Sequence, residues 1–300
     1  MDKLIITVAP TGNVPTKEMN PHLPVTPPEI AATAVRCREA GAALIHVHAR
    51  NAAGKPTLDP AVFARIHALV SERTDLIVQI STGGRAGMDS EARAAAVRRI
   101  RPEMASLTTG SMNFPDRVYA NPFSVIEYLA SAMKEAGAKP EMEIFEPGMI
   151  ANALTLVGKG LAAPPLHFDF VLGSRGSLPA TPKNLLFLSE SIPPGSTWTV
   201  AAVGRWQLPM AALAIVMGGH VRVGLEDNIY YRRGELATNE QLVARVARLA
   251  AELGRPVATP DEAREILSLM CAPLSPPRQR EGSIPPAVSR GELEGGQKQC

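Results

Sequence analysis

The sequence predicts an α/β fold, a (β/α)8 TIM barrel with extra C-terminal helices and a Pro-rich tail, and three observations carry that reading. Short β-branched or apolar runs alternate with Ala-, Leu- and Arg-rich stretches of helical composition along most of the chain. Eight such units span about 230 residues, the usual size of a closed barrel. The residues after the first run, Thr11-Gly12-Asn13-Val14, lack the glycine fingerprint that would favour an open doubly wound sheet. Alternating strands and helices pair in parallel through right-handed crossovers, which leaves these two architectures to choose between.

The strand runs occupy residues 4–9, 44–49, 76–81, 104–109, 142–146, 166–172, 197–203 and 221–226. Helical patterns lie between them at 28–40, 60–73, 90–100, 122–136, 150–158, 182–190 and 208–217. Thr26 ahead of Pro27, Pro28 and Glu29 is a strong helix start, a capping side chain followed by prolines that the first turn tolerates. Gly41 and Gly137 stand where helices should stop. Residues 239–253 read as a last amphipathic helix, with Leu242, Val246 and Leu249 at helical spacing, and 260–270 as a further short one. From Ala272 the composition turns to Pro, Gly, Ser, Arg and Glu with little apolar periodicity. The expected organisation is one catalytic barrel over 1–271 and a 272–300 tail that is disordered or packed on a partner subunit.

Composition narrows the class. Apolar residues at 45% and charged residues at 20% suit a globular chain with a real core. Lys+Arg at 31 against Asp+Glu at 29 argues against a nucleic-acid binder that relies on a basic surface. The longest apolar stretch, 208–217, contains Pro209 and falls short of the roughly 20 residues a bilayer requires. The N-terminal apolar run meets Pro10 and does not read as a signal peptide, so a cytoplasmic protein is expected. Three cysteines, Cys37, Cys271 and Cys300, are too few and scattered for a disulfide framework. Cys37 lies mid-helix and reads as inert.

In such barrels the chemistry gathers at the carboxyl ends of the strands. Ile45-His46-Val47-His48 puts both imidazoles on one face there, either as half of a metal site or as hydrogen-bonded core histidines. On the eighth strand Arg222 and Glu226 share the inward face, about 13 Å apart if the chain stays extended, with Arg222 the deeper. Inward charges need a partner or a metal, so Glu226 is either a third ligand or half of an Arg–Glu pair. Two His and one Glu would leave an open coordination position, as catalytic zinc has. Ser81-Thr82-Gly83-Gly84 offers hydroxyls and loop amides, an anion cradle or an ordinary turn. Ser106, Thr108, Thr109 and Ser111 end the fourth strand with hydroxyls. On the fifth strand either Glu143 or Glu146 faces inward. His167 and Asp169 share a face on the sixth, and His220 begins the eighth low in the barrel.

These features together resemble the β-keto acid cleavage enzymes, the family founded on 3-keto-5-aminohexanoate cleavage enzyme. The carriers, in order, are Thr11-Gly12, Leu23-Pro24-Val25-Thr26-Pro27, His46-Val47-His48-Ala49-Arg50, Gln79-Ile80-Ser81-Thr82-Gly83-Gly84, Glu146-Pro147-Gly148 and Gly224-Leu225-Glu226-Asp227-Asn228. The likeness runs from about Leu4 to Leu269. It implies a zinc-dependent barrel, usually a homotetramer, that condenses a β-keto acid with acetyl-CoA to give acetoacetate and a new acyl-CoA. By that resemblance His46, His48 and Glu226 are the zinc ligands, and Arg222 and Asp227 a catalytic pair with Glu143 a further candidate. Ser81, Thr82, Gly84, Ser106 and Thr108 would bind the substrate carboxylate. The founding enzyme has a glutamate, facing its substrate's ammonium group, where this chain has Val14. An unpaired ammonium would be disfavoured there, so a substrate with a neutral or apolar side chain is expected. The rival readings are a zinc lyase or aldolase acting on a small oxo-acid without CoA, and a non-catalytic carboxylate-binding barrel.

Overall fold

The structure, a computed structural model, describes residues 2–84, 89–114 and 117–269. Within them eight parallel strands close a barrel. They are β1 (Ile6–Val8), β2 (Leu44–Val47), β3 (Ile77–Ile80), β4 (Met104–Thr108), β5 (Lys139–Ile144), β6 (His167–Leu172), β7 (Thr197–Ala202) and β8 (His220–Val223). The helices between them are α1 (Pro27–Glu39), α2 (Pro60–Arg73), α3 (Ser90–Ile100), α4 (Phe123–Ala136), α5 (Gly148–Gly158), α6 (Pro182–Ser191) and α7 (Gln207–Met217). α8 (Asn239–Glu252) and α9 (Pro260–Ile266) follow the last strand. The expected tail, with Cys271 and Cys300, lies outside the described residues.

Local chemistry starts the helices as the sequence suggests. Thr26 Oγ1 accepts from the Glu29 amide at 3.4 Å, and Glu29 Oε2 accepts from the Thr26 amide at 2.9 Å, closing a capping box at α1. Outward strand residues such as Ile45, Val47, Val78, Ile80, Phe168 and Phe170 are buried in the helix layer with Ile30, Phe63, Ile66 and Leu129. No helix among the described residues is long and apolar enough to cross a membrane.

Register then decides what points inward. His46 is level with Gln79, Ser106 with Glu141, Thr108 with Glu143, and Glu143 with Asp169. Arg222 lies between Thr7 and Ala201. The inward rows are therefore polar toward the carboxyl end. At the amino end Ile5, Leu44, Ile77 and Met104 pack with Ala258, Ala263 and Leu267, so the α9 segment stoppers the barrel floor. The Leu4 amide donates to Pro256 O, and the Ala258 amide to Leu4 O, both at 2.8 Å.

Two strand boundaries depart from expectation by three residues, the largest departures. β5 begins at Lys139, because Lys139-Pro140-Glu141 pairs with Met104-Ala105-Ser106 despite its polar character. β8 ends at Val223, because the chain turns at Gly224, where φ is +148° and a Cβ would fall 2.1 Å from Ala9 O. Only glycine fits that approach. The turn closes with Asn228 N donating to Gly224 O at 3.1 Å.

Candidate active site

The turn at Gly224 changes the geometry of the eighth strand's end. Glu226 does not continue outward from Arg222. It folds back, and Arg222 Nη2 donates to Glu226 Oε1 at 2.8 Å. The expected separation of about 13 Å assumed extended backbone. The folded-back carboxylate also lies 3.2 Å from His48 Nε2 and 3.9 Å from His46 Nε2. Gly12, at φ +63°, makes room: a Cβ there would fall 2.5 Å from Glu226 Cγ. Donor atoms of His46, His48 and Glu226 all lie within 4.8 Å of one another.

The chemistry of these donors fits a zinc-type ion. His46 Nδ1 is 2.6 Å from Gln79 Oε1, which can only accept, so Nδ1 carries the proton and Nε2 keeps its lone pair. That Nε2 is buried with no hydrogen-bond partner, and so is Glu226 Oε2. Burial, reinforced by Arg222, lowers the His46 pKa to about 4, so the imidazole is neutral at neutral pH. Burial alone would raise Glu226, but its neighbours His48 and Arg222 outweigh it and hold the carboxyl well below its usual range. The His46 and His48 imidazoles and the Glu226 carboxylate form a three-ligand set of the kind that leaves a tetrahedral zinc one open position.

Arg222 is the electrostatic hub. It is 4% exposed and reaches four carboxylates. Asp227 is held bidentate, Nε to Oδ2 at 3.0 Å and Nη2 to Oδ1 at 3.1 Å. Nη1 is 3.4 Å from Asp169 Oδ2 and 3.9 Å from Glu143 Oε1. One guanidinium cannot neutralise four acids. Burial pushes Asp227 up to about 6, with Arg222 opposing and Glu226 adding repulsion. Burial likewise raises Glu143 and, more strongly, Asp169. Asp227 thus sits near neutrality in proton affinity, as a base or proton relay requires.

The hydroxyl residues divide by use. Thr82 Oγ1 donates to Ser106 O at 2.6 Å and pins the 81–84 loop onto β4. Ser81 Oγ accepts from the Gly83 amide at 3.2 Å. Thr108 Oγ1 donates to Glu143 Oε2 at 2.5 Å, and Ser106 Oγ is buried without a partner. A Cβ on Gly83 would lie 3.3 Å from Ser81 Oγ and 3.8 Å from His48 Cε1, so the loop borders the histidine pair. Gly84 lies in the same loop.

Of the two acids considered for the fifth strand, Glu143 faces inward, level with Thr108 and Asp169 and one step above the deeper Glu141, and Glu146 lies beyond the strand end. Val14 does not join the cluster. It is 69% exposed, while Asn13 lines the small cleft beside His48 with Pro56, Thr57 and Gly83. Sequence reasoning left Gln79 and Asp169 without roles, although Gln79 sits two residues from Ser81, and Asp169 two from His167, on inward faces. His220 lies low, its Nδ1 accepting from the Ile5 amide at 3.1 Å.

Comparison with known proteins shows the family. A family model described as beta-keto acid cleavage enzyme matches residues 3–269. A 3-keto-5-aminohexanoate cleavage enzyme of Fusobacterium nucleatum subsp. nucleatum is 51% identical over 90% of this chain and 99% of that protein. A 3-oxoadipate:acetyl-CoA acetyltransferase of Cupriavidus necator is 42% identical over 88% of this chain and 94% of that protein. Among solved structures, apo ObcA superposes with a TM-score of 0.73 at 21% identity, over 83% of this chain and 66% of that one, a likeness of fold.

Proposed function

This chain belongs to the β-keto acid cleavage enzyme family, and from that premise we propose that it is a zinc-dependent acyltransferase. It would condense a β-keto acid with acetyl-CoA to give acetoacetate and a new acyl-CoA. The observation that carries the reading is one carboxyl-end cluster joining the His46, His48 and Glu226 donors to the Arg222–Asp227 pair. Zinc held by those three ligands would supply Lewis acidity toward the substrate's ketone oxygen.

The stoichiometry dictates the bonds. Acetoacetate keeps the substrate's carboxylate and gains the acetyl group, so substrate C2 must bond to the acetyl carbonyl carbon and expel CoA as thiolate. The thiolate then attacks the original ketone carbon. The bond from that carbon to C2 breaks, and its electron pair leaves with the acetoacetate fragment. Asp227 takes the first proton from C2 and returns it to that fragment, so no external acid or base is consumed. Arg222 keeps Asp227 in place through two hydrogen bonds. Ser81, Gly84, Ser106 and Thr108 would fix the substrate carboxylate, with Thr82 holding their loop and Glu143 closing the far side of Arg222.

The substrate's side chain would be neutral or apolar, because the loop after β1 sets the uncharged Asn13, followed by Val14, at the cleft beside His48. The name of the Fusobacterium relative favours a second reading, an amino-substituted substrate. Homotetrameric assembly in the cytoplasm completes the proposal. The test is CoA-ester formation from acetyl-CoA with a panel of β-keto acids, following acetoacetate and metal content together. Turnover of neutral acids, lost on chelation and restored by zinc, is expected. Turnover of the amino-substituted acid alone would overturn the side-chain reading, and acetoacetate from none would move the assignment to a CoA-independent zinc lyase.

A further inference from the structure

Two arginines with equal burial, 4% exposed each, border the site, Arg222 among its carboxylates and Arg93 against the 81–84 loop. Arg222 is ringed by four carboxylates. Arg93, on α3, has none: Nε donates to Thr82 O at 2.8 Å and Nη2 to Tyr119 Oη at 3.1 Å, and among the described residues no carboxylate pairs with it. A buried cation is costly without compensation. Other buried arginines obtain it from clustered carbonyls. Arg255 donates to the carbonyls of Ala214, Ile215, Gly218 and Gly219 at the end of α7, where the helix dipole is negative. Arg93 has one carbonyl, the Tyr119 hydroxyl and the face of the Tyr119 ring, 5.5 Å from Cζ to the centroid, and none of these carries a full negative charge.

Its place explains what could complete it. The 81–84 loop lies flat on the Arg93 side chain: a Cβ on Gly84 would fall 3.0 Å from Arg93 Cδ and 3.4 Å from Nε. From Tyr119 the hydrogen bonds continue in one sense, Tyr119 Oη to Thr108 Oγ1 at 3.4 Å and Thr108 Oγ1 to Glu143 Oε2 at 2.5 Å. One guanidinium thus braces both the anion loop and the Thr108–Glu143 pair.

We propose that Arg93, a buried positive charge with no carboxylate partner among the described residues, is the positioning residue that selects a substrate carboxylate, acting from behind the 81–84 loop without touching the substrate. The inference rests on the proposed carboxylate site at that loop. Its test measures direct binding of acetoacetate and of uncharged acetoacetamide to the zinc-loaded enzyme by calorimetry, for the wild type, Arg93→Gln and Arg93→Lys. The wild type should prefer acetoacetate. Arg93→Gln should cut that preference about ten- to a hundred-fold, the size of a charge attraction across a few ångströms of partly polar interior. Arg93→Lys, which keeps the charge, should retain it, and in turnover Arg93→Gln should raise KM for the keto acid while KM for acetyl-CoA stays unchanged. Equal weakening of both ligands in Arg93→Gln would overturn the proposal, reducing Arg93 to a packing role. If Arg93→Gln does not fold, Arg93→Lys decides alone, since loss of the preference there is incompatible with a charge effect. A wild type with no preference for acetoacetate would overturn the carboxylate site itself and the inference with it.

Discussion

The two ends of the barrel interior are built from the same strands and do opposite work. Reading inward residues from amino to carboxyl end, β2 and the residue after it present Leu44, His46 and His48. β3 and the residue after it present Ile77, Gln79 and Ser81, and β4 presents Met104, Ser106 and Thr108. One step of two residues, about 7 Å along a strand, passes from an apolar floor to a polar chamber. The floor is sealed by Ala258, Ala263 and Leu267, while the upper chamber concentrates two histidines, Arg222 and four carboxylates. Packing at the floor can hold the strands while the mouth keeps buried charges that would destabilise an isolated sheet. Substitutions at the two ends should therefore separate stability from activity.

The largest expected effect is at the mouth. Asp227→Asn keeps the shape and part of the Arg222 contact but cannot take a proton, so kcat should fall about 10²- to 10⁴-fold. Zinc content, measured by elemental analysis, should be unchanged, because Asp227 is outside the His46, His48 and Glu226 donor set. Unchanged turnover would remove Asp227 from the mechanism. At the floor, fully buried Met104 offers the complementary test. Met104→Ala should cost about 2–5 kcal/mol of unfolding free energy, read from denaturant midpoints, through lost burial and the cavity left. Its KM values should stay at wild-type levels, and a large KM change would show that the two ends are coupled.

Gln79 lies at the border, one layer above the floor. It fixes the His46 tautomer through its 2.6 Å contact to Nδ1. Gln79→Leu should weaken zinc about 10- to 100-fold, as losing a histidine's supporting hydrogen bond does. Competition with a chromogenic chelator measures it, and unchanged affinity would mean that the ring is held by packing alone.

What was legible in the sequence follows the same division. Period-two alternation at strand ends exposed His46, His48 and Arg222, because a strand's geometry is local. The number of strand–helix units exposed the barrel. What stayed hidden depends on closure. Arg222 meets Asp169 only because β8 and β6 converge across the interior, and Glu226 reaches His48 only because the chain turns at Gly224. The start of β5 was hidden because Lys139, Pro140 and Glu141 look like a loop until Met104, Ala105 and Ser106 pair with them. Arg93 reads as one more charged helix residue beside Arg98 and Arg99. Its burial arises from the 81–84 loop lying over it.

The smallest expected effect returns to the floor, where His220 borders the apolar layer. His220 accepts from the Ile5 amide through Nδ1, and burial, then His167 and Arg255, holds its pKa well below the usual value. The folded chain therefore keeps this imidazole neutral, whereas an unfolded histidine takes up a proton near pH 6.5. Below that pH the unfolded state binds the extra proton, so stability is fully present above about pH 6.5 and declines as pH falls. The ceiling for one such group is about 1.4 kcal/mol per pH unit. His220→Asn retains an acceptor for Ile5 and cannot titrate. Chemical denaturation from pH 7.5 to 5 should show the wild type losing stability more steeply than the variant below pH 6.5. Parallel curves would mean that His220 is protonated in the fold and that the floor tolerates charge as the mouth does.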